Sequence, residues 1–179
     1  MYALVESGTI TKYFNHPKGF TLGDLQYPAD LFMKWSVEEK EAIGIYEVVF
    51  DNSNFKDENW YTNTNPTFTF ADGTVTASYK TATPKSHTEL KTNLIKTVKR
   101  QAAEILANTD WYITRNTEKS TAIPSSISTH RDLVRTRQAT METQITNAAN
   151  TPALETLYTY TTDSDGVKSR PLAELPIIS

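Results

Sequence analysis

The side chains that could carry out chemistry are few in this sequence, and their spacing does not assemble them into a site. The three histidines, His16, His87 and His130, stand far apart, with no HxH or HxxxH pair among them. A zinc or iron site takes three or four ligands. The sequence holds no cysteine, which excludes thiolate ligands and disulfides. We therefore expect no bound metal.

Motifs for nucleotide binding or nucleophilic catalysis are also missing. The six glycines follow no G-x-G-x-x-G or P-loop spacing, and no G-x-S-x-G motif marks a serine nucleophile. The segment 163–166 begins like a calcium loop, but strand signals flank it and favour a turn. Asp57 and Glu58 are neighbours, whereas glycoside cleavage requires two carboxylates that face each other across a cleft. A polysaccharide hydrolase is thus the least favoured alternative, and we predict a protein that is not an enzyme and binds no cofactor.

Length and composition fit one ordinary domain or two small ones with a polar surface. The chain has 179 residues, of which 38% are hydrophobic, and its mean hydropathy is −0.49. The net charge of −3 argues against a nucleic-acid partner, which usually requires a basic surface. The N-terminus lacks the basic and apolar regions of a signal peptide, and no apolar run is long enough for a bilayer. We predict synthesis in a cytoplasm and no membrane partner.

The first half of the sequence predicts short strands joined by tight turns, with one short helix. Alternating runs on either side of Ser7-Gly8 are typical of a two-residue hairpin. Ser36 and Glu39 have the spacing of a capping box. Gly44 stands where a left-handed residue is wanted after a helix, and residues 45–50 then have the pattern of a strand.

A polar, asparagine-rich stretch at residues 51–65 is interpreted as a loop. Its aromatic pair, Trp60 and Tyr61, either packs under the preceding strands or contacts a partner, so both residues are interface candidates. Asp72-Gly73 follows between two alternating segments, and this dipeptide is a strong hairpin signal.

Two amphipathic helices are predicted in the second half. The first carries one apolar stripe at three- and four-residue steps: Leu90, Leu94, Ile95, Val98, Ala102, Ile105 and Leu106. The second opens near Pro124, and its apolar stripe consists of Ile127, Val134, Met141, Ile145 and Ala148. A connection of about fifteen residues joins them, so an antiparallel helical hairpin is expected.

Trp111, just after the first of these helices, has two interpretations. In the favoured one it plugs the open end of the hairpin and covers Leu106 and Ile127. In the other it anchors in the pocket of a partner, a role in which Trp and Arg are enriched. Arg131 and Arg135, four residues apart on the second helix, are further interface candidates because the planar guanidinium pairs well with carboxylates.

The sequence beyond Pro152 predicts a short β-hairpin and an extended arm. Residues 157–160 and 166–167 would form the strands on either side of the turn at 163–165. Two prolines exclude a helix from residues 171–179. Leu172, Leu175, Ile177 and Ile178 are apolar, and we expect the arm to contact a neighbouring subunit through strand addition. The alternative is that the arm folds back on its own chain.

These patterns together predict the α+β class: an N-terminal module of β-hairpins with one short helix, an antiparallel helical hairpin, and a short β or extended C-terminal tail. The expected segments are residues 1–50, a loop and hairpin at 51–83, the helical hairpin at 84–150 and the tail at 151–179.

The order of these segments resembles the tail-fibre assembly proteins of tailed bacteriophages and related phage virion proteins. The resemblance is carried by a D-G hairpin at Asp72-Gly73, a long helix with Lys99-Arg100, a T-D-W motif at residues 109–111 and a Y-R-x-x-L-R-like helix at residues 130–135. In the last of these motifs His130 replaces the usual Tyr and Val134 the usual Leu. The N-terminal sequence, with residues 22–25 and 43–48, is also similar to a module of such proteins.

The resemblance implies a structural protein of the phage tail or baseplate that attaches, organises or helps assemble tail fibres by protein–protein binding. Its partners would be other tail, baseplate or fibre proteins and further copies of itself, and its location would be the virion tail after synthesis in the host cytoplasm. The alternative is a fibre-assembly chaperone that does not remain in the virion.

Overall fold

The computed structural model describes residues 1–177, and the chain forms two compact units that meet between Thr83 and Pro84. Unit 1 is residues 1–83 and is built mainly of strands, whereas unit 2 begins at residue 84 and is built mainly of helices. The α+β class is therefore confirmed.

A curled sheet of five strands is the centre of unit 1. Its strands are β1 (Tyr2–Glu6), β2 (Thr9–Phe14), β5 (Ile45–Asp51), β7 (Thr67–Ala71) and β8 (Thr74–Ser78), in the spatial order β2-β1-β5-β8-β7. Neighbours are antiparallel except β5 and β8, which are parallel. The rings of Tyr13 on β2 and Phe68 on β7 lie 4.7 Å apart, so the two edges of the sheet curl toward each other.

The remaining elements of unit 1 are short. They are β3 (Phe20–Leu22), β4 (Leu25–Tyr27), α1 (Leu31–Lys34), α2 (Val37–Ala42), β6 (Tyr61–Thr62) and β9 (Thr83–Pro84), the last at the junction of the units. Strand alternation gives the sheet two apolar faces. One face buries Ala3, Val5, Val48, Val75 and Ala77. The other buries Leu4, Phe14 and Ile45 against Phe20, Leu31 and Phe32.

The predicted turns of unit 1 are confirmed. Ser7 and Gly8 have φ of +48° and +78°, and Asp72 and Gly73 have φ of +49° and +71°, the left-handed pair that a two-residue hairpin requires. Both halves of the capping box at the start of α2 are present, because Ser36 Oγ accepts from the Glu39 amide and the Glu39 carboxylate accepts from the Ser36 amide.

Residues 1–50 and 51–83 share one sheet rather than forming separate modules. β5 extends to Asp51 and is paired with β8, so the pairing crosses the expected boundary after residue 50. Trp60 and Tyr61, 8% and 3% exposed, are buried within this unit, which is the first of the two interpretations made for them.

Unit 2 is organised around two long antiparallel helices. Its elements are α3 (His87–Ala107), α4 (Asp110–Lys119), α5 (Ser125–Asn147), α6 (Thr151–Tyr158), β10 (Thr161–Thr162) and β11 (Lys168–Ser169). α3 and α5 pack side by side, with Val98 and Ala102 of α3 buried, as are Val134, Met141 and Ile145 of α5. Lys91 bonds to Thr146, and Lys99 pairs with Glu142, which fixes the antiparallel direction.

Two helices of unit 2 replace elements that the sequence pattern predicts differently. α4 occupies the connection expected to be a loop, and α6 includes residues 157 and 158, which were expected in a strand. Asn150 caps α6 through its side chain, and Pro152 lies in the first turn, where its missing N–H costs nothing. The β-hairpin is reduced to β10 and β11 around the turn that begins at Asp163.

The first part of the expected C-terminal arm packs on its own unit. Leu172 is 1% exposed, and its amide donates to the Leu157 carbonyl at 3.0 Å. The Gln144 side chain bonds both the Pro171 carbonyl and the Ala173 amide. The expectation that this arm lies across a neighbouring subunit is therefore wrong for residues 171–173.

Candidate protein-interaction site

The end of α3 is closed by a guanidinium from α5. Arg131 is 7% exposed. Its Nη1 donates to the Leu106 carbonyl at 2.8 Å and to Thr109 Oγ1 at 2.6 Å, while Nη2 donates to Asp110 Oδ1 at 2.8 Å. The last carbonyls of a helix lack helical partners, and Arg131 provides one. We name this set of contacts, between Arg131 and Leu106, Thr109 and Asp110, the Arg131 clamp.

The clamp fixes the start of α4, a helix that buries none of its ten residues. Trp111 is 51% exposed and Ile113 is 41% exposed. The interpretation of Trp111 as a plug over Leu106 and Ile127 is therefore wrong. Packing does not hold Trp111 in the core because Arg131 already fills the end of the hairpin with polar contacts.

An aromatic–cation stack covers one side of α4. The rings of Trp111 and Tyr112 have centroids 3.8 Å apart, and the Arg115 Cζ lies 4.8 Å and 5.2 Å from these two centroids. A cation at this distance from an aromatic face is attracted by the ring quadrupole. We call Trp111, Tyr112, Ile113 and Arg115 the α4 surface.

A groove of about 460 Å³ lies elsewhere in unit 2. It is lined by Gln101, Glu104, Ile105, Asn108, Met141, Arg170, Glu174 and Leu175. One wall is held together at Glu174, whose Oε1 accepts a hydrogen bond from Tyr160 Oη at 2.7 Å and forms an ion pair with Arg170, with 3.2 Å between Oε1 and Nε. The bond from Tyr160 raises the pKa of that phenol above its ordinary value, with burial acting in the same direction.

The interface candidates from the sequence are thus dispersed rather than gathered. Trp60, Tyr61 and Arg131 serve the interior of their own units, so none of the three is exposed for a partner. Arg135 is exposed and pairs with Asp132 at 3.1 Å.

The C-terminal candidates also separate. Leu175 lines the groove, and Ile177 is 90% exposed. Ile178 lies outside the described residues.

Trp111 alone among these candidates belongs to the α4 surface. Tyr112, Ile113 and Arg115 were missed by the sequence reasoning. The signal that could have found them is the four-residue spacing of Trp111 and Arg115, which places both on the same side of a helix.

Neither a metal-holding cluster nor a membrane-spanning helix is found among the described residues. Within residues 1–177 no three His, Cys, Asp or Glu side chains come together as they would around a metal ion. No helix in this range combines the length and apolarity needed to cross a membrane. The chain matches no protein-family model, no curated protein and no solved structure.

Proposed function

We propose that this protein is a structural component of a bacteriophage tail or baseplate that attaches, organises or helps assemble tail fibres, and that it acts by binding alone. The observation that carries the binding role is the α4 surface, on a helix with no buried residue. A half-exposed tryptophan beside a tyrosine and a stacked arginine has the composition of an interface hot spot.

The phage context is supported by the residues on which the sequence resemblance depends. Arg131, in the motif at residues 130–135, is 22 residues from Thr109 and 21 from Asp110 of the T-D-W motif, yet it bonds both. The two motifs are thus parts of one contact, which joins α5 to the end of α3 and the start of α4.

The proposed partners are fibre, tail or baseplate proteins and further copies of the chain in the assembly. A fibre-assembly chaperone would use the same surface but leave before the virion is complete. Mass spectrometry of purified virions separates these two roles: the structural role expects the protein in the particle, and the chaperone role expects it only in the lysate of infected cells.

The binding role is tested with Trp111→Ala, with Leu133→Ala as the matched control. Leu133 is an apolar residue of α5 that is 42% exposed and outside the α4 surface. Loss of a hot-spot residue costs about 2 kcal/mol or more, which is roughly 30-fold in affinity. We expect Trp111→Ala to weaken binding to the purified fibre and baseplate proteins by that factor and to keep the melting temperature of the native chain.

Leu133→Ala should bind as the native chain does. If both variants bind the fibre and baseplate proteins like the native chain, the α4 surface is not the binding site and the proposal fails.

A further inference from the structure

We infer that the α4 surface takes an acidic protein segment, in which a carboxylate pairs with Arg115 and an adjacent apolar side chain covers Trp111 and Ile113. This inference rests on the proposed binding function and adds the chemistry of the partner.

The charge of Arg115 favours an acidic partner. Four arginines of unit 2 have a carboxylate partner: Arg100 with Glu104, Arg131 with Asp110, Arg135 with Asp132 and Arg170 with Glu174. Arg115 and Arg137 form no ion pair with any residue in the described range 1–177, and of these two only Arg115 is half-buried, against two rings, whereas Arg137 is exposed. A cation withdrawn from water without a counter-charge is an electrostatic match for an incoming carboxylate.

The geometry of the Arg115 guanidinium also favours a carboxylate. The Arg115 Nε is buried and has no hydrogen-bond acceptor among residues 1–177, whereas its Nη groups are not buried. Stacking on Trp111 and Tyr112 restricts the guanidinium before any partner arrives, so less conformational entropy is lost on binding. A planar guanidinium with free Nη groups can bond a carboxylate through two parallel hydrogen bonds.

The other charged groups of α4 do not compete for this role. Asp110 is engaged in the Arg131 clamp, while Glu118 and Lys119 lie at the far end of the helix. The exposed Trp111 and Ile113 require an apolar contact as well as a charge. A protein segment that alternates acidic and apolar residues supplies both, whereas an anionic sugar supplies the charge and a ring face but no aliphatic side chain for Ile113.

The test is an NMR titration of the full chain with acetyl-Leu-Glu-Leu-Asp-Leu-amide. The matched peptides replace Glu and Asp by Gln and Asn, or both by Lys, and glucuronate serves as the anionic sugar. We expect saturable shifts at residues 110–116 with the acidic peptide. The affinity should be about tenfold or more above that of the amide peptide, since charge-assisted bonds are roughly twice as strong as neutral ones.

Arg115→Gln should remove this preference for the acidic peptide. Arg135→Gln, which changes an exposed arginine of α5 by the same chemistry, should retain it. Equal binding of the acidic and amide peptides, preference for the Lys peptide, binding of glucuronate alone, or no shift in α4 would each overturn the inference.

These outcomes are separable from the proposed function. The acidic peptide could fail to bind while Trp111→Ala still weakens binding to the fibre or baseplate protein. In that case the α4 surface binds a partner of other chemistry. The acidic peptide could instead bind while Trp111→Ala binds the fibre and baseplate proteins as tightly as the native chain does. In that case the proposed function is wrong, and the inference of a carboxylate-binding site at Arg115 still holds.

Discussion

Arg131 illustrates how a residue that looks suited to a surface can be required inside. The sequence places it on a polar helix at a spacing typical of an interface, and only the structure brings it to Leu106, Thr109 and Asp110. Thr109 is itself 3% exposed, and its hydroxyl donates to the same Leu106 carbonyl. Removal of the guanidinium would break three hydrogen bonds made by a charged group, although the Leu106 carbonyl and the Thr109 hydroxyl would keep their bond to each other.

Arg131→Ala should therefore reduce the free energy of unfolding by about 1.5–3 kcal/mol, the contribution of hydrogen bonds to a charged group. Urea denaturation measures this change. Arg135→Ala is the control, because Arg135 is exposed and its pair with Asp132 is worth roughly 0–1 kcal/mol. Equal losses for the two variants would contradict a structural role for the clamp.

Gly44 provides a second test at the residue scale. Its φ is +81°, and a Cβ added there would collide with the Val5 carbonyl oxygen, whereas a Cβ at Gly8, with φ of +78°, meets no atom within 4 Å. Both substitutions place an alanine in the left-handed region, which costs about 1–3 kcal/mol of folding free energy. Only Gly44→Ala adds a clash with the backbone. We expect the melting temperature of Gly44→Ala to be well below that of Gly8→Ala. Similar melting temperatures for the two variants would show that the close approach of Gly44 to the Val5 carbonyl is unimportant.

At the element scale, the contact of Tyr160 with Glu174 joins the segment after α6 to the groove. The hydrogen bond to Glu174 raises the pKa of Tyr160. A raised pKa in the folded state means that the contact stabilises fully below the ordinary tyrosine pKa of about 10 and is lost as the pH rises through the raised value.

Tyr160→Phe should remove that pH dependence. We expect unfolding by urea to show the native chain losing stability more steeply than Tyr160→Phe as the pH rises above the ordinary tyrosine pKa of about 10. Parallel pH profiles for the two proteins would indicate that the bond contributes nothing.

The way in which each element is stabilised decides whether the sequence could predict it. α3 and α5 each bury a stripe of side chains, so the periodicity of apolar residues predicted both helices. The turns at Ser7-Gly8 and Asp72-Gly73 could be predicted because they require a left-handed backbone that few residue types adopt. α4 buries nothing and therefore leaves no apolar period to detect. α6 was missed because residues 157–160 were interpreted as a strand, although Asn150 is a good N-cap and Pro152 lies in a first turn, where proline is favoured.

At the scale of the whole molecule, the parallel pairing of β5 with β8 decides where the chain can be divided. No local signal encodes that pairing, because the two strands are separated by β6 and β7, and it joins residues expected to belong to separate segments. The candidate site was equally non-local: Trp111 could be selected by its residue type, but the start of α4 is bonded to the distant Arg131 of α5.

Residues 1–83 and 84–179, expressed as separate chains, should each unfold cooperatively, because each unit has its own core. Residues 1–50 alone should not fold, since that fragment loses β8, one of the two strands paired with β5, and two of the five buried residues of one apolar face. Circular dichroism during thermal unfolding distinguishes these cases. A cooperative transition for residues 1–50 would contradict the account of the sheet.

The Arg131 clamp also has a consequence for engineering. Because Arg131 holds the end of α3 and the start of α4 directly, the spacing of α3 and α5 does not depend on the length of chain that connects α4 to α5. Thr121 and Ala122 in that connection are exposed, and exposed loop tips accept insertions. A peptide tag placed between them would be a permissive handle for imaging or purification that leaves the helix pair and the α4 surface in place.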